Sequence, residues 1–364
     1  MSRCAPATRR LLAPLSLAAA LVATAAAAET SSWLSGPAEP RPVEKPKADK
    51  PGIAADRPAG PARPSLGGPT TSTHTKGAPG AVGDDEAYLA FDRGSYLTAL
   101  SLAEAAAARG EPSAHTLIGR IYGEGLGVGK DEALAAQWYA KGAELGDVNA
   151  QFAIGLMQAE GRGVAKDLTA AAKSFEAAAR TGHAAANYNL GLLFLKGEGK
   201  PENPYRAAAH IRYAAEKGLA AAQYDLGTLY QHGHGVEPDA AQASRWIRAA
   251  ADQGMAVAKY EYAVMLLRGL GLTADEPKAI GYLTAAAEAG IAGAQNRLAH
   301  VYREGIGVDR SPLESAKWRL VAKANGVADD TLDKELSKLS KADRAAAEKA
   351  ALEWRETRGF NLLQ

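Results

Sequence analysis

Three kinds of residue in this sequence could do chemistry: glycine-rich turns, a pair of histidines and many carboxylates. The turns share the pattern Gly-x-Gly, whose first glycines are Gly125, Gly161, Gly197, Gly233, Gly269 and Gly305. A glycine-rich loop can bind phosphate when it follows a strand and ends in Gly-Lys-Ser or Gly-Lys-Thr. Here a helical pattern precedes each loop, and no such ending follows it. We therefore interpret these glycines as turn residues.

The histidine pair His232 and His234 is the most metal-like feature of the chain. A zinc site takes three or four ligands from histidine, cysteine or carboxylate side chains. His210 lies upstream and is the candidate third ligand, whereas the single cysteine, Cys4, is at the N terminus. We predict two solvated loop histidines, no metal site and no cofactor, with a weak zinc site as the alternative.

The carboxylates at regular spacing precede helical patterns, where they cap the open amides of a first helical turn. Catalytic signatures such as Gly-x-Ser-x-Gly or His-Glu-x-x-His do not occur in the sequence. We therefore predict a protein that is not an enzyme.

The balance of charge argues against nucleic acid as a partner. The 364 residues include 42 Lys and Arg against 41 Asp and Glu, a net charge of +1. Residues 1–28 hold three arginines and no acidic residue, so without them the net charge is −2 (39 − 41). Proteins that bind nucleic acid or an anionic membrane surface usually carry a marked positive excess.

The first 28 residues have the three parts of a secretory signal peptide. Arg9-Arg10 gives a positive start, Leu11 to Val22 an apolar centre, and Ala26-x-Ala28 a small-residue cleavage motif. We predict cleavage after Ala28 and a periplasmic or secreted protein. The alternative is an uncleaved anchor, because the apolar run from Leu11 to Ala28 reaches membrane-spanning length.

Residues 29–83 hold ten of the 18 prolines and almost no large apolar residue. Such a composition buries too little apolar surface to offset the entropy lost on ordering. We predict a disordered, partly polyproline linker, with a proline-rich docking ligand as the alternative.

The elements that position the turns repeat every 36 residues, without insertion, from Ala114 to about residue 329. Each unit starts with an alanine and continues with apolar residues at i, i+3, i+4 spacing, which predicts a short helix A. After the Gly-x-Gly loop, a second apolar pattern predicts a longer helix B. The residue before helix B is always a preferred N-cap. These caps are Asp131, Asp167, Asn203, Asp239, Asp275 and Ser311.

Glycines at two further slots have distinct predicted roles. One slot ends helix B, because glycine readily takes the left-handed conformation that closes a helix. Its members are Gly146, Gly182, Gly218, Gly254, Gly290 and Gly326. The other slot lies inside helix A, where glycine costs about 1 kcal/mol relative to alanine. We therefore expect a close approach there, with the alanine pair of helix B as neighbour, at Gly119, Gly155, Gly191 and Gly227.

Together these residues resemble the Sel-one-like repeat family, a relative of the tetratricopeptide repeat. The resemblance rests on Ala-x-x-x-Leu-Gly, the Gly-x-Gly-Val loop, the Asp cap, an aromatic residue on helix B and an Ala-Ala pair. It implies an all-α fold, a right-handed superhelical solenoid of antiparallel helix pairs. We assign an N-terminal capping pair to 84–113, six repeats to 114–329, and C-terminal capping helices with a tail to 330–364.

The resemblance also implies which surface binds. In tetratricopeptide superhelices helix A lines the concave face, so polar residues that break the pattern on helix A are the candidates. One such set follows the starting alanines by three positions and is named here the A-helix row: Asn189, Asp225, Glu261 and Arg297. We predict that this row binds an extended partner segment, edged by Tyr188, Tyr224 and Tyr260 and by the outlying Arg120, Thr228 and His300. A solvated polar face, with the tyrosines packed in the core, is the alternative.

For function, the resemblance and the export signal favour a non-enzymatic adaptor in the cell envelope. Exported relatives include regulators that bind the periplasmic domain of a sensor kinase and control exopolysaccharide production. A sensor kinase domain or another envelope protein is therefore the expected partner. The alternatives are a polysaccharide- or peptidoglycan-binding module and a β-lactamase-like hydrolase. The hydrolase-like relatives carry a cysteine pair in each repeat, which this chain lacks.

The signal peptide predicts the N terminus of the mature chain. Expressed in a Gram-negative host, the protein should be recovered from the periplasm with Glu29 as its first residue, as read by intact-mass spectrometry. Replacing Ala26 and Ala28 with leucine should block cleavage, because the peptidase needs small residues there. Recovery of the uncut wild-type chain in the membrane fraction would instead support the anchor.

Overall fold

The computed structural model describes residues 82–357. The predicted signal peptide, the linker as far as residue 81 and the tail from residue 358 lie outside the described residues. Within 82–357 the chain forms sixteen α-helices and no strand. They are α1 (Val82–Asp92), α2 (Tyr96–Ala108), α3 (Pro112–Glu124), α4 (Glu132–Glu144), α5 (Val148–Glu160), α6 (Leu168–Arg180), α7 (Ala184–Lys196), α8 (Pro204–Glu216), α9 (Ala220–His232), α10 (Ala240–Asp252), α11 (Ala256–Arg268), α12 (Glu276–Glu288), α13 (Ala292–Glu304), α14 (Pro312–Ala324), α15 (Asp330–Lys338) and α16 (Lys341–Thr357).

The predicted fold class, an all-α solenoid of helix pairs, is confirmed. Helices α3 to α14 form six repeats, in which odd-numbered helices are helix A and even-numbered helices are helix B. Each of these helices packs mainly against the helices that precede and follow it in the chain. Helices A and B are both 13 residues long, so the expectation of a longer helix B is wrong. Helix A begins two residues before its starting alanine, directly after the turn that ends the previous helix B.

All six predicted N-caps of helix B are confirmed. The side-chain oxygen of each cap accepts a hydrogen bond from a backbone amide two or three residues further on. The backbone amide of each cap donates to a carbonyl nine residues earlier, on helix A, at 2.8–3.1 Å. At Ser311 this amide donates to the carbonyl of Tyr302 at 2.9 Å. One residue thus ties the two helices of a repeat together.

The glycines that end helix B are also confirmed as left-handed closures. Gly146 has a φ of 90°, and the five equivalent glycines have φ values between 83° and 96°. In the first repeat the amide of Asp147 donates to the carbonyl of Gly142 at 2.9 Å, which is the hydrogen bond of a Schellman closure. The same left-handed closure therefore separates helix B from the next helix A in each of the six repeats.

The glycine inside helix A has a different neighbour from the one expected. A Cβ atom at Gly155 would lie 2.7 Å from the ring of Phe175, and one at Gly227 would lie 2.5 Å from Cγ1 of Ile247. The close approach is real, but the neighbour is the large residue of helix B. The alanine slot faces the next repeat instead, since a Cβ at Gly142 in that slot would lie 2.9 Å from the Cβ of Ala150.

The second glycine of the Gly-x-Gly loop forms the contact between repeats. A Cβ atom added there would lie 1.9–2.2 Å from the carbonyl oxygen of the first residue of the preceding helix B. This holds for Gly163, Gly199, Gly235 and Gly271, against Glu132, Leu168, Pro204 and Ala240. No side chain fits at that distance. The loop therefore connects the two helices of one repeat and also packs directly on the backbone of the previous repeat.

Further helices extend the stack at both ends. At the N-terminal end, α1 and α2 are joined by residues 93–95, and Phe91 and Leu100 pack in one cluster with Ile118 of the first repeat. Helix α1 starts at Val82, two residues earlier than the predicted pair. Among the described helices, none is long and apolar enough to cross a membrane.

The C-terminal end is closed by α15 and α16, which pack on α14. Arg319 of α14 is 1% exposed although its slot holds Phe175, Ile211 or Leu283 in other repeats. Its Nε donates to Asp333 of α15 at 2.8 Å, and its Nη1 donates to the carbonyl of Val327 at 2.9 Å. Burial of this charge is offset by these bonds, because a buried cation must be paired.

The stacking role of the second loop glycine predicts the effect of two alanine substitutions. Gly235→Ala should lower the free energy of unfolding by about 2–4 kcal/mol, because the methyl group meets the carbonyl of Pro204 as well as a left-handed backbone. Gly254→Ala also places alanine at a positive φ, 96° against 68° at Gly235, but has open space around it, and should lower the free energy of unfolding by only about 1 kcal/mol. Urea unfolding of both variants measures the difference. Equal losses would contradict the stacking contact.

Candidate functional site

The A-helix row occupies equivalent positions on four consecutive A helices, α7, α9, α11 and α13. Its four side chains, Asn189, Asp225, Glu261 and Arg297, are half-buried. Because each follows the previous one by 36 residues, the row crosses the stack once per repeat. The structure therefore brings the predicted row together on one surface.

The tyrosines pack between the members of the row. The hydroxyl of Tyr188 donates to Oδ2 of Asp225 on the next repeat at 2.9 Å. Two repeats on, the guanidinium of Arg297 lies 5.6 Å from the ring centroid of Tyr260. Each of these tyrosines thus contacts the row residue of the following repeat.

The tyrosine rings are part of the wall of this surface. Tyr188 and Tyr224 are only 8% and 5% exposed, and Tyr260 is half-buried. Burial, and then the nearby charge of Glu261, raise the pKa of Tyr224. The rings therefore offer little exposed face to a ligand, and the polar atoms of the row are what this surface presents.

Burial destabilises the charged form of Asp225. Burial raises the pKa of its carboxyl group and the hydrogen bond from Tyr188 opposes that rise, which together bring the pKa from 3.8 to about 6. Oδ1 of Asp225 has no donor among residues 82–357. Ionised and incompletely hydrogen-bonded, this carboxylate would gain from a cationic or N–H group supplied by a ligand.

Arg297 and Glu261 extend the charge pattern of the row. Burial lowers the pKa of Arg297, Tyr260 opposes that change, and the nearby Arg268 lowers the pKa further. Glu261 also lies close enough to act on Arg297. The row thus changes from acidic in repeats 4 and 5 to basic in repeat 6.

The three outlying candidates have partners within the fold. Arg120 binds Glu124 at 2.9 Å and lies 4.7 Å from the ring centroid of Phe91, at the N-terminal end of the stack. Thr228 donates to the carbonyl of Tyr224 and lies beside the row. His300 Nε2 is 2.7 Å from Asp329, the N-cap of α15. Arg120 therefore contacts the N-terminal helix α1, and His300 contacts the N-cap of the C-terminal helix α15.

His210 contacts two side chains of α7 in its own repeat. Its Nδ1 is 2.9 Å from the side-chain oxygen of Asn187, and its ring stacks on Phe194 with 5.8 Å between centroids. In the part of the chain that the structure describes, no group of three histidine, cysteine or carboxylate residues is placed to hold a metal. The geometry gives no support to the zinc alternative with His232 and His234.

The structure also contains a cleft that the sequence predictions do not include. It lies on the B-helix side of the stack and has a volume of about 560 Å³. A sequence signal for it exists at Arg180. Four of the other five repeats place an acid in this slot, namely Glu144, Glu216, Asp252 and Glu288, and the sixth has Ala324.

The raised pKa of Asp225 predicts how stability depends on pH. Between about pH 4 and 6 the folded protein holds this proton more tightly than the unfolded chain does, so the contribution of Asp225 to stability falls as pH rises. Asp225→Asn removes that penalty and should raise the free energy of unfolding by about 1–2 kcal/mol at pH 7.5. Below pH 4 the gain should vanish. Paired urea unfolding at both pH values measures it, and a gain independent of pH would contradict the burial of this charge.

The six repeats match a known family and known structures. The Sel1 repeat matches residues 112–147, 148–183, 184–219, 220–255, 256–291 and 292–320. The crystal structure of a Sel1 repeat protein from Oxalobacter formigenes is 31% identical and covers 66% of this chain and 99% of its own, with a TM-score of 0.61. A protective antigen present in uropathogenic Escherichia coli strains, which displays an SLR fold, is 28% identical; the match covers 72% of this chain and 64% of that one, with a TM-score of 0.53. Among curated proteins, none matches significantly.

These matches begin where each helix A begins, two residues before the starting alanine. Sel1 repeat proteins generally mediate protein–protein interactions, and the repeat is typically a non-catalytic scaffold. With six consecutive repeats over more than half of its length, this chain belongs to the Sel1 repeat family.

Proposed function

We propose that this protein is an exported, non-enzymatic adaptor that binds a protein partner in the cell envelope through the A-helix row. The observation that carries the proposal is the half-buried carboxylate of Asp225, with one oxygen lacking a donor among the described residues. Its neighbours in the row, Asn189 and Glu261, add an amide and a second carboxylate on adjacent repeats. Membership of a family that generally binds proteins supports the same class of function.

The spacing of the row suits an extended partner segment. The side chain of Tyr188 spans the distance to Asp225 on the next repeat, so successive members of the row lie on the order of 10 Å apart, and an extended chain advances about 3.3 Å per residue. One side chain in three of such a segment would then meet one member of the row. The row would bind basic or amide side chains against Asp225 and Glu261, and an acidic one against Arg297.

The chemistry of the row favours a partner with lysine, arginine or exposed N–H groups. A half-buried carboxylate without a full set of donors has already lost part of its hydration, so a matching donor gains more there than at an open surface. The partner that fits the export signal and the linker is the periplasmic domain of a sensor kinase or a comparable envelope protein. A regulator of exopolysaccharide production would act through such a contact.

A polysaccharide-binding role has less support from the described residues. Sugar platforms need exposed aromatic faces, whereas Tyr188 and Tyr224 are buried. The row itself has polar groups at one position per repeat, which matches a peptide backbone better than a flat sugar ring.

Photo-cross-linking in intact cells tests the proposal. A photoreactive phenylalanine analogue is placed at Asn189 or Glu261 in the row, or at Lys173, an exposed residue of α6, as control. We expect one envelope protein to be captured from both row positions and not from Lys173. Capture of the same abundant proteins from all three positions would contradict the adaptor role.

Substitution within the row then measures its contribution to affinity. The triple variant Asn189→Ala, Asp225→Asn and Glu261→Gln should weaken binding of the captured partner about tenfold or more, since charged contacts at an interface contribute about 2 kcal/mol or more. The matched control Glu202→Gln with Glu216→Gln removes two exposed carboxylates elsewhere and should leave affinity unchanged. Calorimetric titration compares them, and unchanged affinity of the triple variant would rule out the row as the binding surface.

A further inference from the structure

The cleft on the B-helix side lies between the second and third repeats. Its floor is formed by Leu190 and Phe194 of α7, which are 1% and 4% exposed. Its walls come from the B helices α6 and α8, and the residues that line them are Glu176, Ala179, Arg180, Arg206, Ala209 and His210. None of these residues belongs to the A-helix row. The cleft is therefore a separate surface with an apolar base and polar walls.

The walls carry positive charge that the fold does not neutralise. Glu176 is bound by the ammonium group of Lys200 at 2.8 Å. Arg180 and Arg206 form no ion pair within residues 82–357, and Arg206 lies 5.6 Å from the ring centroid of Phe194. Arginine binds a carboxylate through two parallel hydrogen bonds, which a lysine does not. The two arginines therefore suit an anionic group with a flat, forked shape.

His210 adds an acceptor to the same wall. The amide nitrogen of Asn187 donates to the carbonyl oxygens of Ala179 and His183, so its side-chain oxygen faces Nδ1 of His210 and accepts from it. Burial and then Arg206 lower the pKa of His210, which favours the neutral ring. Neutral and donating through Nδ1, the ring keeps Nε2 as an acceptor for an N–H group.

The other repeats show what this cleft lacks. At the slot of His210, four of the other five repeats place an aromatic residue, Trp138, Trp246, Tyr282 or Trp318, and the second repeat has Ser174. Between repeats 4 and 5 the two slots are joined, because the hydroxyl of Tyr282 donates to Asp252, the counterpart of Arg180. Between repeats 2 and 3 the ring is replaced by His210 and the acid by Arg180. Both the aromatic ring and the carboxylate of the Asp252–Tyr282 pair are therefore missing here.

We propose that this cleft is a second binding site, which takes a peptide segment whose carboxylate lies beside an aromatic ring. The carboxylate replaces that of Asp252 and binds Arg180 and Arg206. The ring takes the place of that of Tyr282 and packs against the wall residues Ala179 and Ala209, and a backbone N–H of the segment donates to Nε2 of His210. The site is independent of the A-helix row and goes beyond the adaptor function proposed above.

Two synthetic peptide probes test the site and distinguish the source of the carboxylate. One N-acetylated tetrapeptide carries an internal Asp-Phe pair and an amidated end, and the other ends in Phe with a free carboxylate. In their matched controls, Asn replaces Asp or an amide replaces the free carboxylate. Binding to the purified chain is followed by NMR titration, with the His210 ring signals as the local reporter.

We expect at least one acidic probe to bind about tenfold or more tightly than its neutral control, because a charge-assisted arginine pair is lost in the control, and to shift the His210 signals. The probe that binds identifies a side-chain or a chain-end carboxylate as the source. Equal binding of acidic and neutral probes, or no binding of either acid, would overturn the proposal. Displacement of the bound probe by equimolar inorganic phosphate would also overturn it, since the aromatic ring of the probe would then contribute nothing.

Variants separate the cleft from general charge effects. Arg180→Glu restores the acid of the other repeats and should weaken the acidic probe about tenfold or more. Lys173→Glu makes the same change of charge on the same helix, outside the cleft lining, and should leave binding unchanged. Retained affinity in Arg180→Glu, or an equal loss in Lys173→Glu, would overturn the site.

A double variant that recreates the arrangement of another repeat distinguishes loss of the binding site from loss of the fold. The double variant Arg180→Asp with His210→Tyr recreates the arrangement of Asp252 and Tyr282. It should bind neither acidic probe while its melting temperature equals or exceeds that of the wild type. The triple variant of the A-helix row should bind the probes as the wild type does, so failure of one site is distinguishable from failure of the other.

Discussion

The contact between each loop glycine and the preceding helix B determines the rest of the structure. A Cβ atom at Gly163 or Gly235 would lie 2.0 Å from a carbonyl oxygen of the previous repeat, so the two backbones meet without a side chain between them. This contact sets the distance from one repeat to the next. Because this contact is alike at Gly163, Gly199, Gly235 and Gly271, with 1.9–2.2 Å between the added Cβ and the carbonyl oxygen, residues 36 positions apart form rows on the surface.

Once the stack is set by backbone contacts and small residues, other slots can vary without loss of the fold. Asp225 on helix A and Arg180 on helix B occupy such slots, and their neighbours in other repeats differ in charge and size. The helix A surface carries carboxylates and the helix B cleft carries arginines. The two surfaces therefore differ in the partner chemistry they favour while sharing one scaffold.

Much of this fold was predictable from the sequence, because its determinants are local and recur. A cap such as Asp131, or a closing glycine such as Gly146, acts within a few residues, so period and residue type were sufficient. Contacts across helices were harder to predict. Spacing alone does not show that Phe175, and not an alanine pair, covers Gly155, since this depends on the rotation of helix B about its axis. The burial of Tyr188 against the next repeat and the cleft beside Arg180 likewise depend on how two repeats meet.

The closed C-terminal end has a consequence for assembly. A stack of identical units presents unlike surfaces at its two ends, and two complementary ends can join head to tail into an open filament. Helices α15 and α16 cover one of these ends, with the buried Arg319 bound to Asp333 and with Trp354 packed against Trp318. Covering one end is sufficient, because filament growth needs both. The pair formed by Arg319 and Asp333 holds α15 on α14, so the surface of the last repeat that would meet a further repeat is covered by helices of the same chain.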